Sequence, residues 1–122
     1  MTTTGSAAGV AETYVRAWLG GDVEKAMGLI ADDIVCQAPS GPVRGADAYR
    51  QFLAPFAGML ISGELLGVFG DDNSAAIVYT VDLPFAKDFR GAEYLTVEDG
   101  RITHAVSIFD RAPMMQAGGG QD

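Results

Sequence analysis

Apolar residues near the start of the chain recur at helical spacing. Val10, Tyr14, Val15 and Trp18 fall within one broad stripe between Ala7 and Leu19, which predicts an amphipathic helix stopped by Gly20-Gly21. Asp22 is a good N-cap for a second, short helix. Glu24 lies in its first turn, and Ala26, Met27, Leu29 and Ile30 turn towards the core. Asp32-Asp33 reads as a turn, Ile34 to Ala38 as a strand, and "PSGPVRG" after it as a loop. A third helix is predicted from Ala46 or Asp47, carrying Tyr49, Phe52, Leu53 and Phe56. Pro55 should kink or restart it, because proline removes a backbone donor and clashes with the preceding turn.

Beyond that helix the period drops to two. Strands are predicted at about Ser62–Phe69, Ser74–Leu83, Phe89–Glu98 and Arg101–Phe109. "GDDN" separates the first pair, Pro84 to Asp88 the second, and Asp99-Gly100 is a two-residue hairpin loop. Helices followed by an antiparallel meander are the α+β pattern, with the helices packed on one face of a sheet. No internal repeat or linker divides the chain, so a single domain is expected.

The alternation also assigns sides. Ala75, Ile77, Tyr79, Val81 and Leu83 share an apolar face, as do Phe89, Gly91, Leu95 and Val97. Glu93 belongs to the second of these sets and therefore points inward. A carboxylate on an apolar face is costly unless it is hydrogen-bonded, paired or protonated. Glu93 is thus a candidate functional group, and pairing with an arginine is its structural alternative. The last strand is apolar on both faces, with Ile102, Val106 and Ile108 on one and Ala105 and Phe109 on the other. Such a strand is usually covered on both sides, which predicts a homodimer through the sheet.

Bulk properties narrow the function classes. A chain of 122 residues buries about two-thirds of its unfolded surface and needs neither disulfide nor metal to fold. The net charge is -8 with only eight lysines and arginines, which argues against nucleic acid and anionic membrane surfaces as partners. The longest apolar run, Phe56 to Gly63, is far short of a membrane span. Cys36 is the only cysteine, and "MTTTGSAAGV" lacks signal-peptide character, so a cytoplasmic setting is expected. Order is expected over about residues 7–112, with flexible tails including "QAGGGQD". One histidine and one cysteine do not make a usual transition-metal site, the acidic clusters lack calcium-loop spacing, and no phosphate-cradling loop occurs. No metal or cofactor is therefore expected.

The stretches "YVRAWLGGDVEKAMGLIADDIV", "APSGPVRGADAYRQF" and "YLTVEDGRITHAVSIFD" together resemble the SnoaL-like and ketosteroid-isomerase-like branch of the NTF2-like superfamily, over about Val10 to Asp110. The resemblance implies an NTF2-like cone: three N-terminal helices on a strongly curved, mainly antiparallel sheet, one deep apolar pocket, and frequent dimerisation. It implies no single activity, since members include isomerases, cyclases, hydrolases, dehydratases and binding proteins. Steroid isomerases of the family use a tyrosine of the first helix and a protonated carboxylic acid as oxyanion donors. Tyr14 and Glu93 stand at about those positions. The alternative for Tyr14 is a buried hydroxyl meeting Glu93 or Tyr79.

The position of the family's general base is Ala38, before Pro39, and alanine cannot accept a proton. Limonene epoxide hydrolases hold a water with an Asp–Arg–Asp set, where this chain has Ile77, Tyr79 and Ser107. By the resemblance, the substrate pocket would be lined by Trp18, Cys36, Ala38, Phe52, Phe56, Ile77, Tyr79, Val81, Leu95, Ser107 and Phe109. Cys36 reads as a small buried hydrophobe and not a nucleophile, for want of an activating base. His104 shares the Ile102 face, which the resemblance places outside the cone, at a surface or interface. The expected function is cofactor-independent isomerisation, cyclisation or dehydration of a hydrophobic substrate, with Tyr14 and Glu93 as polar groups. The alternative is a non-catalytic binding or dimerisation protein.

Overall fold

A computed structural model describes residues 6–110. The expectations for flexible tails fall on residues outside this range. Helix α1 (Ala7–Leu19) is capped by the Ser6 hydroxyl, which accepts from the Gly9 amide at 3.2 Å. Helix α2 (Val23–Met27) starts at Asp22, whose carboxylate accepts from the Lys25 amide at 3.0 Å. Strands β1 (Ile30–Ala38) and β2 (Gly41–Arg44) precede helix α3 (Ala46–Met59). Four strands complete the chain: β3 (Ser62–Gly70), β4 (Ser74–Leu83), β5 (Ala86–Glu98) and β6 (Arg101–Phe109). Among the described residues, no helix is long and apolar enough to cross a membrane.

The six strands form one sheet in the order β2-β1-β6-β5-β4-β3, antiparallel throughout except for β1 against β6. Helix α1 packs on β3 to β6 and α3 on β1 and β2, so the core lies between helices and sheet. Register shifts interrupt the ladders between Leu65 and Gly67, between Val81 and Leu83, and between Thr96 and Val97. Such irregularities add twist and bend the strands, curving the sheet around α1.

Four local expectations are corrected. "PSGPVRG" is not all loop, because Gly41–Arg44 pairs with β1 as an edge strand. Pro42 is tolerated there because an edge strand leaves one side of its backbone unpaired. Asp32-Asp33 lies within β1, exposed, where its pairing with β6 slips between Ile30 and Val35. Ile30 starts that strand and does not end α2. Helix α3 runs through Pro55 without restarting.

The fifth correction concerns β6. Thr96 faces His104 while Val97 faces Ile102, so Thr103 is an extra residue that shifts the alternation by one. Ile102 is fully buried, whereas His104, Val106 and Ile108 point outward, the last two 38% and 57% exposed. The strand thus changes faces part-way along, which explains why both sides of it read as apolar.

Candidate functional site

Two helices and three strands aim side chains into one cavity of about 310 Å³. Helix α3 presents Gln51, Phe52, Pro55, Phe56 and Met59, an i, i+1, i+4, i+5, i+8 stripe along one face, with Leu53 beside it. Trp18 of α1 closes another side. The sheet supplies Tyr79 from β4, Glu93 from β5, and Ser107 and Phe109 from β6. The Trp18 ring meets those of Tyr79 and Phe56 edge-on, with centroids 5.0 and 5.7 Å apart. Such T-shaped contacts fix an aromatic wall in one arrangement.

The sheet register explains which strand residues converge. Glu93 pairs with Ile77 on one side and Ser107 on the other, while Gly91 pairs with Tyr79 and Phe109. A Cβ on Gly91 would lie 2.5 Å from the Tyr79 hydroxyl oxygen and 2.7 Å from the ring carbon bearing it. Glycine at this position lets the phenol lie flat against the strand, with its ring beside the cavity.

Glu93 is the only charged residue among those lining the cavity, and it is 5% exposed. Its Oε2 accepts a hydrogen bond from the Ser107 hydroxyl at 2.8 Å, while Oε1 is buried without a partner among the described residues. Burial pushes this carboxyl up to about 7, although the Ser107 hydrogen bond and the nearby Tyr14 hydroxyl pull it down. Burial, reinforced by the Glu93 charge, raises Tyr14, Tyr49 and Tyr79 far above neutrality, and Cys36 is raised mainly by burial. Glu93 is therefore the group of this set that changes charge near neutral pH. Trp18 Nε1 is also buried without a partner.

The sequence-predicted residues divide into two groups. Trp18, Phe52, Phe56, Tyr79, Glu93, Ser107 and Phe109 line the cavity. Tyr14, Cys36, Ile77, Val81 and Leu95 do not line it and lie buried in the core around it. Ala38 is half-buried at the end of β1 and packs on the core without lining the cavity. The Tyr14 hydroxyl shares a short hydrogen bond with that of Tyr49, a partner not expected from the sequence, and it also acts on Glu93, one of its two expected partners. The arginine pairing considered for Glu93 does not form, its partner being Ser107. Cys36 Sγ lies 3.6 Å from the Ser107 oxygen, which continues the buried polar chain from Glu93.

Sequence reasoning left out Tyr49 as a site-related residue, and Gln51, Leu53, Pro55 and Met59 as cavity wall. A second buried tyrosine on a core-facing helix was the available signal for the first. The helical stripe through Phe52 and Phe56 was the signal for the others. His104 is exposed on the outer face, its Nδ1 3.2 Å from the Thr103 hydroxyl.

The SnoaL-like domain family model matches residues 11–105. No curated protein matches the chain. A Kribbella flavida protein of known crystal structure is 42% identical, with 99% of this chain and 98% of that chain covered and a TM-score of 0.92. A candidate ketosteroid isomerase from the same organism is 22% identical over 84% of this chain and 76% of its own, with a TM-score of 0.68. A candidate polyketide cyclase from Pseudomonas putida is 15% identical, covering 91% and 96%, with a TM-score of 0.71. At those lower identities the last two share the fold.

Proposed function

Because the chain belongs to the SnoaL-like domain family, we propose that its cavity takes up a small, largely apolar molecule and that Glu93 moves a proton on it without a cofactor. The observation that carries this reading is a buried carboxyl, one oxygen held by Ser107, in the wall of an otherwise largely apolar cavity. In this scheme the Glu93 carboxylate takes a proton from a carbon or hydroxyl of the substrate and returns it at a second atom. No electrons are gained or lost, and the result is an isomerisation, or the first step of a ring closure or dehydration. A midpoint of about 7 suits a group that must both accept and release a proton near neutrality. Tyr14 supports the site from behind, where its hydroxyl favours the ionised form of Glu93 and shares a hydrogen bond with Tyr49, and it does not line the cavity.

Ala38, at the position where relatives carry a base, favours a second reading in which the cavity binds and does not convert. The experiment that separates the two is deuterium uptake from solvent into small cyclic ketones and enols, followed by NMR. Wild-type protein should accelerate uptake, and Glu93→Gln should lower the rate by about 10²–10⁴-fold. Saturable binding with uptake no faster than in buffer would leave only the binding reading.

The chain pairs with a second copy in the same scheme, through the outer face of the sheet. Phe69, Ala76, Tyr94, Val106 and Gln37 are successive cross-strand neighbours on that face, and Ala92 and Ile108 form the next row. None of these residues carries a charge, in a chain whose net charge is -8. An uncharged apolar patch is where two acidic molecules approach with least repulsion.

A further inference from the structure

We propose that the molecule this cavity selects is a small lipophilic amine in its protonated form. Its ammonium donates to the Glu93 carboxylate, and its apolar body lies among Trp18, Phe56, Tyr79 and Phe109. The inference rests on the reading that this cavity is the functional site and names the class of ligand it holds. An ammonium on the carboxylate occupies the proposed base, so the amine is a bound ligand and not the molecule whose proton Glu93 moves.

The charge inventory points that way. Among the described residues lining the cavity there is one carboxyl and no lysine, arginine or histidine. The titratable groups facing Glu93 are Tyr14 from α1, Tyr49 from α3, Tyr79 from β4 and Cys36 from β1. All four are acids that burial keeps neutral, so no side chain supplies a counter-charge when Glu93 ionises. On the cavity side no lining lysine, arginine or histidine among the described residues pairs with the carboxylate, and a ligand N–H supplies a donor there. An ammonium supplies the missing charge as well, making the hydrogen bond charge-assisted and stronger than one from a neutral hydroxyl.

The walls agree with this assignment. Five aromatic rings, those of Trp18, Phe52, Phe56, Tyr79 and Phe109, surround the space beside the carboxyl. Their negative faces attract a cation and their area buries its apolar body. A carboxylate ligand would meet like charge at Glu93. A neutral alcohol would find the donor role open but the counter-charge still missing. Amines therefore rank first, alcohols second and acids last.

The test uses the full chain and three probes of similar shape: 2-phenylethylamine, 2-phenylethanol and 3-phenylpropionate. Affinities are measured by titration calorimetry at pH 8, and those of the amine and the alcohol again at pH 5. The amine should bind at least about tenfold more tightly than the alcohol at pH 8, with the acid weakest. Only ionised Glu93 pairs with an ammonium that stays protonated throughout, so with a midpoint of about 7 the amine's affinity should fall from pH 8 to pH 5 towards the level of the alcohol, by at most roughly 90-fold. The alcohol's affinity should not fall. Glu93→Gln should reduce the amine to the level of the alcohol, with folding checked by circular dichroism. If that variant does not fold, the wild-type ranking and pH profile decide alone. An alcohol that binds as tightly as the amine at pH 8, or an amine affinity flat with pH, overturns the proposal. Amine selectivity without proton transfer on any substrate would sink the catalytic reading and leave this one standing. Proton transfer on neutral substrates without amine selectivity would do the reverse.

Discussion

A carboxyl that loses water on burial holds its proton more tightly, and in Glu93 this outweighs the Ser107 and Tyr14 hydroxyls that favour the charged form. Its ordinary value of 4.5 applies in the unfolded chain and about 7 in the folded one. The folded state therefore keeps a proton that the unfolded state has released between those values. The resulting stabilisation is fully present below about pH 4.5 and is lost as pH rises through about 7, a difference on the order of 3 kcal/mol. Urea melts should show wild-type stability falling from pH 5 to pH 8 relative to Glu93→Gln, and parallel profiles would refute the shift. Ser107→Ala removes the donor that favours the charged form, so the Glu93 midpoint should rise further. ¹³C NMR of the labelled carboxyl would read this directly, and a fall would contradict the assigned hydrogen bond. Tyr14→Phe strands the Tyr49 hydroxyl in the core. It should cost about 1–3 kcal/mol in a urea melt while lowering activity less than Glu93→Gln.

Elements set the site through register and close approach. Strand β5 can hold Tyr79 against itself only because residue 91 has no side chain. Gly91→Ala places a methyl within 2.5 Å of the Tyr79 hydroxyl oxygen. Denaturant melts should show a loss of about 1–3 kcal/mol, and ligand affinity should drop with it as the ring is pushed into the cavity. Unchanged stability and affinity would mean the ring can move aside freely. At the β5–β6 turn, Asp99 and Gly100 both have positive φ, 53° and 77°, as the two-residue hairpin loop demands. Gly100→Ala should cost about 1 kcal/mol there through backbone strain alone, with no change at the cavity. Strand β6 shows what one extra residue does. Thr103 flips the phase, so that Ile102 enters the core while Ala105, Ser107 and Phe109, not Val106 and Ile108, turn inward after it.

At the scale of the molecule, a curved sheet leaves one concave face for the helices and the cavity and one outer face for a partner. Pairing of two copies through the outer face predicts that Ile108→Glu, at a 57% exposed position, yields monomers without loss of the fold. Sedimentation velocity would measure this, and a monomeric wild-type chain at tens of micromolar would remove the dimer. The acidic aspartates at turns behave oppositely to Glu93. Backbone amides hold Asp71 and Asp82 below the usual carboxylate range, so their contributions persist to low pH and fade only as pH falls through that range. Stability should therefore be greatest on the mildly acidic side of neutrality.

Local chemistry was legible in the sequence because it is written in neighbouring residues. The change of period from helix to strand, the cap at Asp22 and the Asp99-Gly100 turn each depend on a few adjacent side chains. Alternation alone turned Glu93 inward, and the structure places it there. What alternation does not contain is the partner on the next strand or helix. The β1–β2 pairing and the extra residue at Thr103 appear only when strands are matched in register, and the Tyr14–Tyr49 contact and the α3 wall join segments far apart in the chain. They depend on how the bulges bend the sheet, and so on tertiary packing. The sequence by itself thus determined that a carboxyl would be buried. Only the folded arrangement decided that one of its oxygens is held by Ser107 and that the carboxyl stands in the wall of an aromatic cavity.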